Sequence, residues 1–353
     1  MPVRLVFTRL MHLRLTPLFL SIAFLPDISL AQANYVSTVD SGASAFTWTG
    51  NTSLGAIVGN PNTFNLSGSL TLRLTPGVTQ PIGLIKLKEG NALVSPDISG
   101  EIPNPLPFLP PLATIDITGL SLSVSSDAVA LAANGDFSTT AIFTALTGIM
   151  VIDAGALGGT TLDLTGSQSD PTVMSGNLSY AGGAMHFDSP VSLSFAFTDA
   201  GTGVSGTVTL NGDVISDYSC PGATSYCSSS ANSTGGSPLM GMGGSTSVFA
   251  NDLSLNSNSL PAGQPGIFYY GPNQIAQVFG NGTRCVGGTV VRLGAVVASG
   301  SGDASFSLDN GVAPNLGVIL PGETLNFQFW YRDPAGGGAF FNLTDGLSIP
   351  FCP

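Results

Sequence analysis

The sequence predicts an all-β protein: an N-terminal β-barrel or β-sandwich over residues 34–217, then a second, disulfide-stapled antiparallel β domain over 218–353. Three observations carry this. Apolar and polar residues alternate at period two along most of the chain, and no long segment holds the helical period. The 353 residues include 46 glycines and 24 prolines, enough for many turns yet below the roughly 25–30% of low-complexity disorder. Charged residues make up 8% of the chain against 43% hydrophobic ones. The solvent face must therefore be built from Ser, Thr and Asn, which suit strands and turns better than helix surfaces.

The first element is a predicted signal peptide, residues 1–33. Arg4, Arg9, His12 and Arg14 precede an apolar run over 15–25, and Ala31-Gln32-Ala33 is a small-x-small site for cleavage before Asn34. The run is too short for a permanent membrane span, and no transmembrane segment is expected in the mature chain. The expected location is secreted or periplasmic, at the cell envelope. Cleavage removes Arg4, Arg9, Arg14 and Asp27, so 9 basic and 21 acidic residues fall to 6 and 20, a net charge of −14. An acidic protein of this kind lacks the basic patches that nucleic acid or an anionic membrane surface requires.

Strands follow from parity. Phe64, Leu66, Leu70, Leu72 and Leu74 share one face, as do Val191, Leu193, Phe195 and Phe197. Ile115 and Ile117 are followed by Leu120, Leu122 and Val124, so parity switches at Gly119 and predicts a bulge there. Asn211-Gly212, after Val208 and Leu210, predicts a hairpin turn leading into Val214. The Ala-rich pieces 128–133 and 141–149 leave helix and strand open. Pro103, Pro105, Pro107, Pro110 and Pro111 alternate with Ile102, Leu106, Phe108 and Leu109 in a stiff segment barred from a central strand. A packed crossover between sheets is expected of it, ahead of a lip over a barrel mouth or an exposed docking patch.

All four cysteines, Cys220, Cys227, Cys285 and Cys352, lie at 220 or beyond. An even count in an exported chain implies disulfides. Their confinement implies a boundary near 217, with the Ser- and Gly-rich 216–244 stretch as linker and first loop. A Cys285–Cys352 bridge with a small Cys220–Cys227 loop is one arrangement, and the spacing leaves the other two pairings open.

Tyr226-Cys227, Asn232-Ser233, Gly266-Ile267-Phe268-Tyr269-Tyr270-Gly271, Gly280-Asn281-Gly282 before Cys285-Val286, Trp330-Tyr331-Arg332-Asp333-Pro334, Leu343-Thr344-Asp345 and Cys352-Pro353 occur in that order. This set, over roughly 125 residues, resembles uncharacterised C-terminal β domains of secreted proteins from planctomycete-type bacteria. The resemblance implies a disulfide-stapled antiparallel β-sandwich appended to an exported protein, and no reaction. In those domains a further cysteine commonly follows Asn-Ser. Gly235-Gly236 stands there in this chain, so the resemblance implies Cys220 as the partner of Cys227. The N-terminal region, through Val39-Asp40-Ser41, Phe46-Thr47-Trp48 and the Phe64 to Leu74 run, more loosely resembles YceI-type and lipocalin-like barrels, which enclose apolar ligands.

Catalytic chemistry is poorly provided for. Beyond residue 33 there is one histidine, His186, and there are two lysines, Lys86 and Lys88. A Ser-His-Asp triad would have to use His186, and no Gly-x-Ser-x-Gly elbow accompanies it; an ordinary strand residue is expected. The glutamates are Glu89, Glu101 and Glu323, and most aspartates sit beside turn formers, as Asp170 and Asp309 do. A carboxylate-dependent hydrolase is thus unsupported. No metal site or cofactor is expected, although Asp303 and Asp309 have the oxygen chemistry of calcium ligands.

Binding has a better candidate. In residues 325–332 Leu325, Phe327, Phe329 and Tyr331 share one face, and Asn326, Gln328, Trp330 and Arg332 share the other. An amide, aromatic and guanidinium row is what a sugar platform uses: the ring stacks on the sugar and the amides bond its hydroxyls. Tyr269 and Tyr270 join the candidate set. The competing reading, which the sequence favours, buries Trp330 beneath a loop and pairs Arg332 with Asp333. The expected function is a secreted, non-catalytic protein, structural, adhesive or glycan-contacting at the envelope. The alternative is a carrier of a small apolar ligand in a barrel over 34–217, lidded by residues 102–111.

Overall fold

Alternation becomes hydrogen-bonded ladder almost throughout. The computed structural model describes residues 32–353 apart from 77–81, 107, 156–157, 182, 200–202, 249, 313, 316–318 and 353. The predicted signal peptide, except Gln32 and Ala33, and Pro107 lie outside the described residues. Among those residues the protein has no α-helix, and a 3-10 turn at Pro334–Gly336 interrupts the strands. Among the described residues no helix is long and apolar enough to cross a membrane.

Seven long strands and one short one close a ring of antiparallel pairings. In ring order they are Thr63–Pro76, Ile82–Ser95, Ala113–Ser126, Asp136–Asp153, Thr172–Ala181, Ala184–Thr198, Ser205–Ser219 and Ala33–Val39, the last pairing again with the first. Closure is thinnest at two joints of two residue pairs each, Ala92↔Leu122 with Leu93↔Ser121, and Thr38↔Asp217 with Val39↔Ser216. Ala45–Thr52 reinforces one side by pairing with both Ser205–Ser219 and Thr63–Pro76. Inward parity fills the interior with one apolar cluster that includes Phe64, Leu72, Ile85, Leu87 and Phe187. At Gly119, with φ of 61°, the register shifts, so Ile115 and Ile117 before it and Leu120, Leu122 and Val124 after it are all buried. That is the predicted bulge. The 141–149 piece lies within a strand, and Val129–Ala130 is a short strand of its own.

Two local expectations are corrected. Asn211-Gly212 is not a turn: both residues sit mid-strand, paired with Ser192 and Val191 on one side and with Thr47 and Phe46 on the other. A Cβ at Gly212 would stand 2.6 Å from Phe46 Cγ and 2.3 Å from the Ala45 carbonyl oxygen, so glycine is there for close approach. The proline-rich segment is not a packed crossover. It joins the paired strands Ile98–Ile102 and Ala113–Ser126 as an exposed loop, with Phe108 79% accessible.

After Ser219 the strands belong to smaller sheets. Thr224–Tyr226, Gly346–Pro350, Thr324–Arg332, Pro265–Gly271 and Val291–Val297 form one in that order, with Phe341–Leu343 also on Thr324–Arg332. Met240–Gly243, Ser254–Ser257 and Ala304–Ser307 form another, and Asn273–Phe279 pairs with Gly282–Gly287 as a separate hairpin. Phe268, Tyr270, Phe327, Phe329 and Leu255 share a second apolar cluster.

The disulfides are Cys220–Cys352 and Cys227–Cys285. This corrects both the Cys285–Cys352 arrangement and the Cys220–Cys227 pair that the resemblance implied. Thr224–Tyr226 adds to the edge of Gly346–Pro350, and Tyr226 Oη donates to the Cys285 carbonyl at 2.9 Å, which brings Cys227 to Cys285. Cys352 meets Ser247 in a parallel bridge and packs within the ring's apolar cluster, where Cys220 emerges from the ring with its N–H on the Gly183 carbonyl. The bridges close separations of 132 and 58 residues, stabilising by about 5 and about 4 kcal/mol on the loop-entropy scale.

Candidate functional site

The strand Thr324–Arg332 sends Leu325, Phe327, Phe329 and Tyr331 into the core, as its parity predicts. Its other face is graded: Asn326 and Gln328 are buried, Trp330 is half-buried and Arg332 is exposed. The Asn273–Phe279/Gly282–Gly287 hairpin covers the first half of this face. Gln274 Nε2 donates to Asn326 Oδ1 at 3.1 Å. Gln328 Nε2 donates to the Thr283 and Thr344 carbonyls at 2.8 and 2.7 Å, while its Oε1 accepts from Tyr269 Oη at 2.5 Å and Cys285 N at 2.8 Å. All four hydrogen-bonding valences of the Gln328 amide are used internally.

The five predicted binding residues therefore separate. Trp330 and Tyr269 line one pocket; Gln328 lies beneath it as a strut; Arg332 is outside the lining; Tyr270 points into the core, where its Oη donates to Asn315 Oδ1. The Arg332–Asp333 ion pair is absent among the described residues: Asp333 is buried and its Oδ2 accepts the Ser233 N–H at 3.0 Å. Burial raises the Tyr269 pKa well above the ordinary phenol range, against a smaller opposing effect of Arg284. Its hydroxyl stays protonated and committed to Gln328.

The pocket has a volume of about 440 Å³ and is lined by Ile267, Tyr269, Phe279, Arg284, Val290, Arg292, Trp330, Phe341 and Leu343. Register assembles it. Trp330 stands opposite Ile267 on one neighbour and Leu343 on the other, and Tyr269 stands opposite Arg292. Phe341 bridges the aromatics, with ring centroids 5.5 Å from Trp330 and 5.2 Å from Phe279. Arg284 Nε donates to the Val286 carbonyl at 2.8 Å. Among the described residues neither Arg284 nor Arg292 forms an ion pair, and no carboxylate is in the lining. The sequence reading missed Arg284, Arg292, Phe279 and Phe341. The shared parity of Ile267 and Tyr269 was the visible signal, and the cross-strand partners needed the register.

Other features offer less. A cavity of about 240 Å³ opens at one end of the ring between Ile98, Leu120, Met150, Leu162, Phe195 and Phe197, and among the described residues none of 102–111 is in its lining. His186 is on the ring's outer face, its Nδ1 2.7 Å from Asp217 Oδ1. Register places Ser179 on its other side, yet no hydrogen bond joins Ser179 to His186. Glu101 and Asp116 share an open polar groove of about 370 Å³, where Ser99 Oγ donates to Asp116 Oδ1 at 2.5 Å. Among the described residues no group of three or more His, Cys, Asp or Glu could hold a metal ion; Asp303 accepts from Ser301, and Asp309 from Asn251 and Gly311. No protein-family model, curated protein or solved structure matches this chain.

Proposed function

We propose that this is an exported, non-catalytic contact protein whose C-terminal pocket holds envelope glycan against Trp330. The carrying observation is the half-buried Trp330 against Phe341, which in turn meets Phe279, in a pocket of about 440 Å³, within the roughly 300–1,000 Å³ of small-ligand sites. An indole accessible on one side and fixed on the other presents a ring without the entropy cost of ordering it. The two disulfides are compatible with an oxidising, extracytoplasmic compartment. Trp48, the other tryptophan, is buried in the ring, so fluorescence of a Trp48→Phe variant reports on Trp330 alone. Envelope oligosaccharides are expected to shift that emission, and Trp330→Ala is expected to weaken their binding by about 1–3 kcal/mol. Unchanged emission across a saccharide panel would sink the reading.

A second reading, a carrier of a small apolar ligand, is favoured by the apolar cavity at the ring's end. Its volume of about 240 Å³ is below the usual range, which ranks it second. A stoichiometric added mass in native mass spectrometry of the exported protein, released by organic solvent, would reverse that ranking.

A further inference from the structure

We infer that the saccharide this pocket takes is an acidic one, with its anionic group held by Arg284 and Arg292 and its ring against Trp330. The inference rests on the glycan reading above and narrows it to a ligand class. Beyond residue 33 the chain has 6 basic residues against 20 acidic ones, so cations are scarce and each placement is informative. Lys88 sits 3.4 Å from Glu89, and Arg73 Nε donates to Asn34 Oδ1 at 3.1 Å. Arg284 and Arg292, by contrast, converge on one apolar pocket with no carboxylate in its lining.

Arg284 is half-buried and Arg292 exposed, so solvent screens the pair only in part, and two guanidiniums on one pocket lining repel each other without a counter-charge. A bound anion removes the repulsion. Guanidinium is also the side chain whose planar fork matches carboxylate and sulfate oxygens. The Arg284 Nε bond to the Val286 carbonyl anchors its fork and leaves the terminal amino groups uncommitted among the described residues. A uronic acid combines the two requirements, an apolar ring face for the indole and a carboxylate at the ring's edge. The strongly negative remainder of the molecule repels free polyanions at long range, so selectivity has to arise at contact distance, where salt screens least.

The test uses the full-length exported protein and three saccharides of equal length: oligogalacturonate, its fully methyl-esterified form, and a sulfated oligosaccharide. Binding of the free acid is expected to weaken about tenfold or more on esterification, and likewise in Arg284→Gln and Arg292→Gln, with Arg73→Gln unchanged. Arg292→Lys, which keeps the charge and loses the fork, should fall between parent and Arg292→Gln, and a parent-like thermal unfolding curve excludes misfolding as the cause. Sulfated binding in place of carboxylated binding would keep the anionic class and assign sulfate as the group. Equal binding of acid and ester, or indifference to both arginine variants, would overturn the inference while leaving the glycan reading intact. Binding of none of the three, alongside unchanged Trp330 emission with neutral glycans, would overturn both.

Discussion

Asp345 is buried beside the aromatic pocket's supporting strands, and its Oδ1 accepts the Met240 N–H at 2.6 Å. Desolvation is the larger influence and raises its pKa above the ordinary 3.8, with the backbone hydrogen bond opposing. Because the native value exceeds the unfolded one, the unfolded chain releases this proton first. The stability contribution is complete below the unfolded pKa and is lost as pH rises through the native one. Asp345→Asn keeps an acceptor for Met240 and has no charge to desolvate. Its melting temperature is therefore expected to exceed the parent's at pH 7, with the gap closing as pH falls toward 3; a gap that widens on acidification would reverse the assignment. The same carboxylate, after burial, helps push Tyr226 up to about 12. Residue-level features of this kind were the least legible in the sequence. Gln328 has the composition of a sugar-binding amide, but whether an amide meets ligand or protein depends on what covers it, and the cover here is a hairpin some fifty residues upstream.

Elements were legible where the information was local. Parity assigned the inward face of Thr324–Arg332 and the bulge at Gly119, because side-chain alternation and a positive φ are properties of a few adjacent residues. It failed at Asn211-Gly212, where turn chemistry was outweighed by a contact with Phe46 on a distant strand. That contact gives a direct test. Gly212→Ala places a methyl within 2.6 Å of the Phe46 ring and 2.3 Å of the Ala45 carbonyl oxygen. Phe46 is stacked on Phe64 at 5.3 Å and has little room to retreat. A loss of about 1–3 kcal/mol in urea unfolding is expected.

For the whole molecule the decisive non-local feature is the cysteine pairing, and the two bridges have separable consequences. Cys220–Cys352 ties the segment leaving the ring to residues that pack in the ring's own apolar cluster. The Cys352 backbone also pairs with Thr246 and Val248, and Tyr180 Oη bonds Ser247 nearby. None of these residues lines the aromatic pocket. Cys227–Cys285 lies under that pocket: the Cys285 N–H donates to the same Gln328 Oε1 that holds Tyr269, and Arg284 precedes it in the strand. Removing either bridge is expected to lower stability by an amount on the order of 2–5 kcal/mol. Only removal of Cys227–Cys285 should also weaken saccharide binding, since it loosens the Gln328 strut from below. The paired variants Cys220→Ser/Cys352→Ser and Cys227→Ser/Cys285→Ser, compared by thermal unfolding and by Trp330 emission at temperatures where both remain folded, distinguish the two roles. Equal loss of binding in both would mean that the pocket depends on the global fold and not on the Gln328 network beneath it.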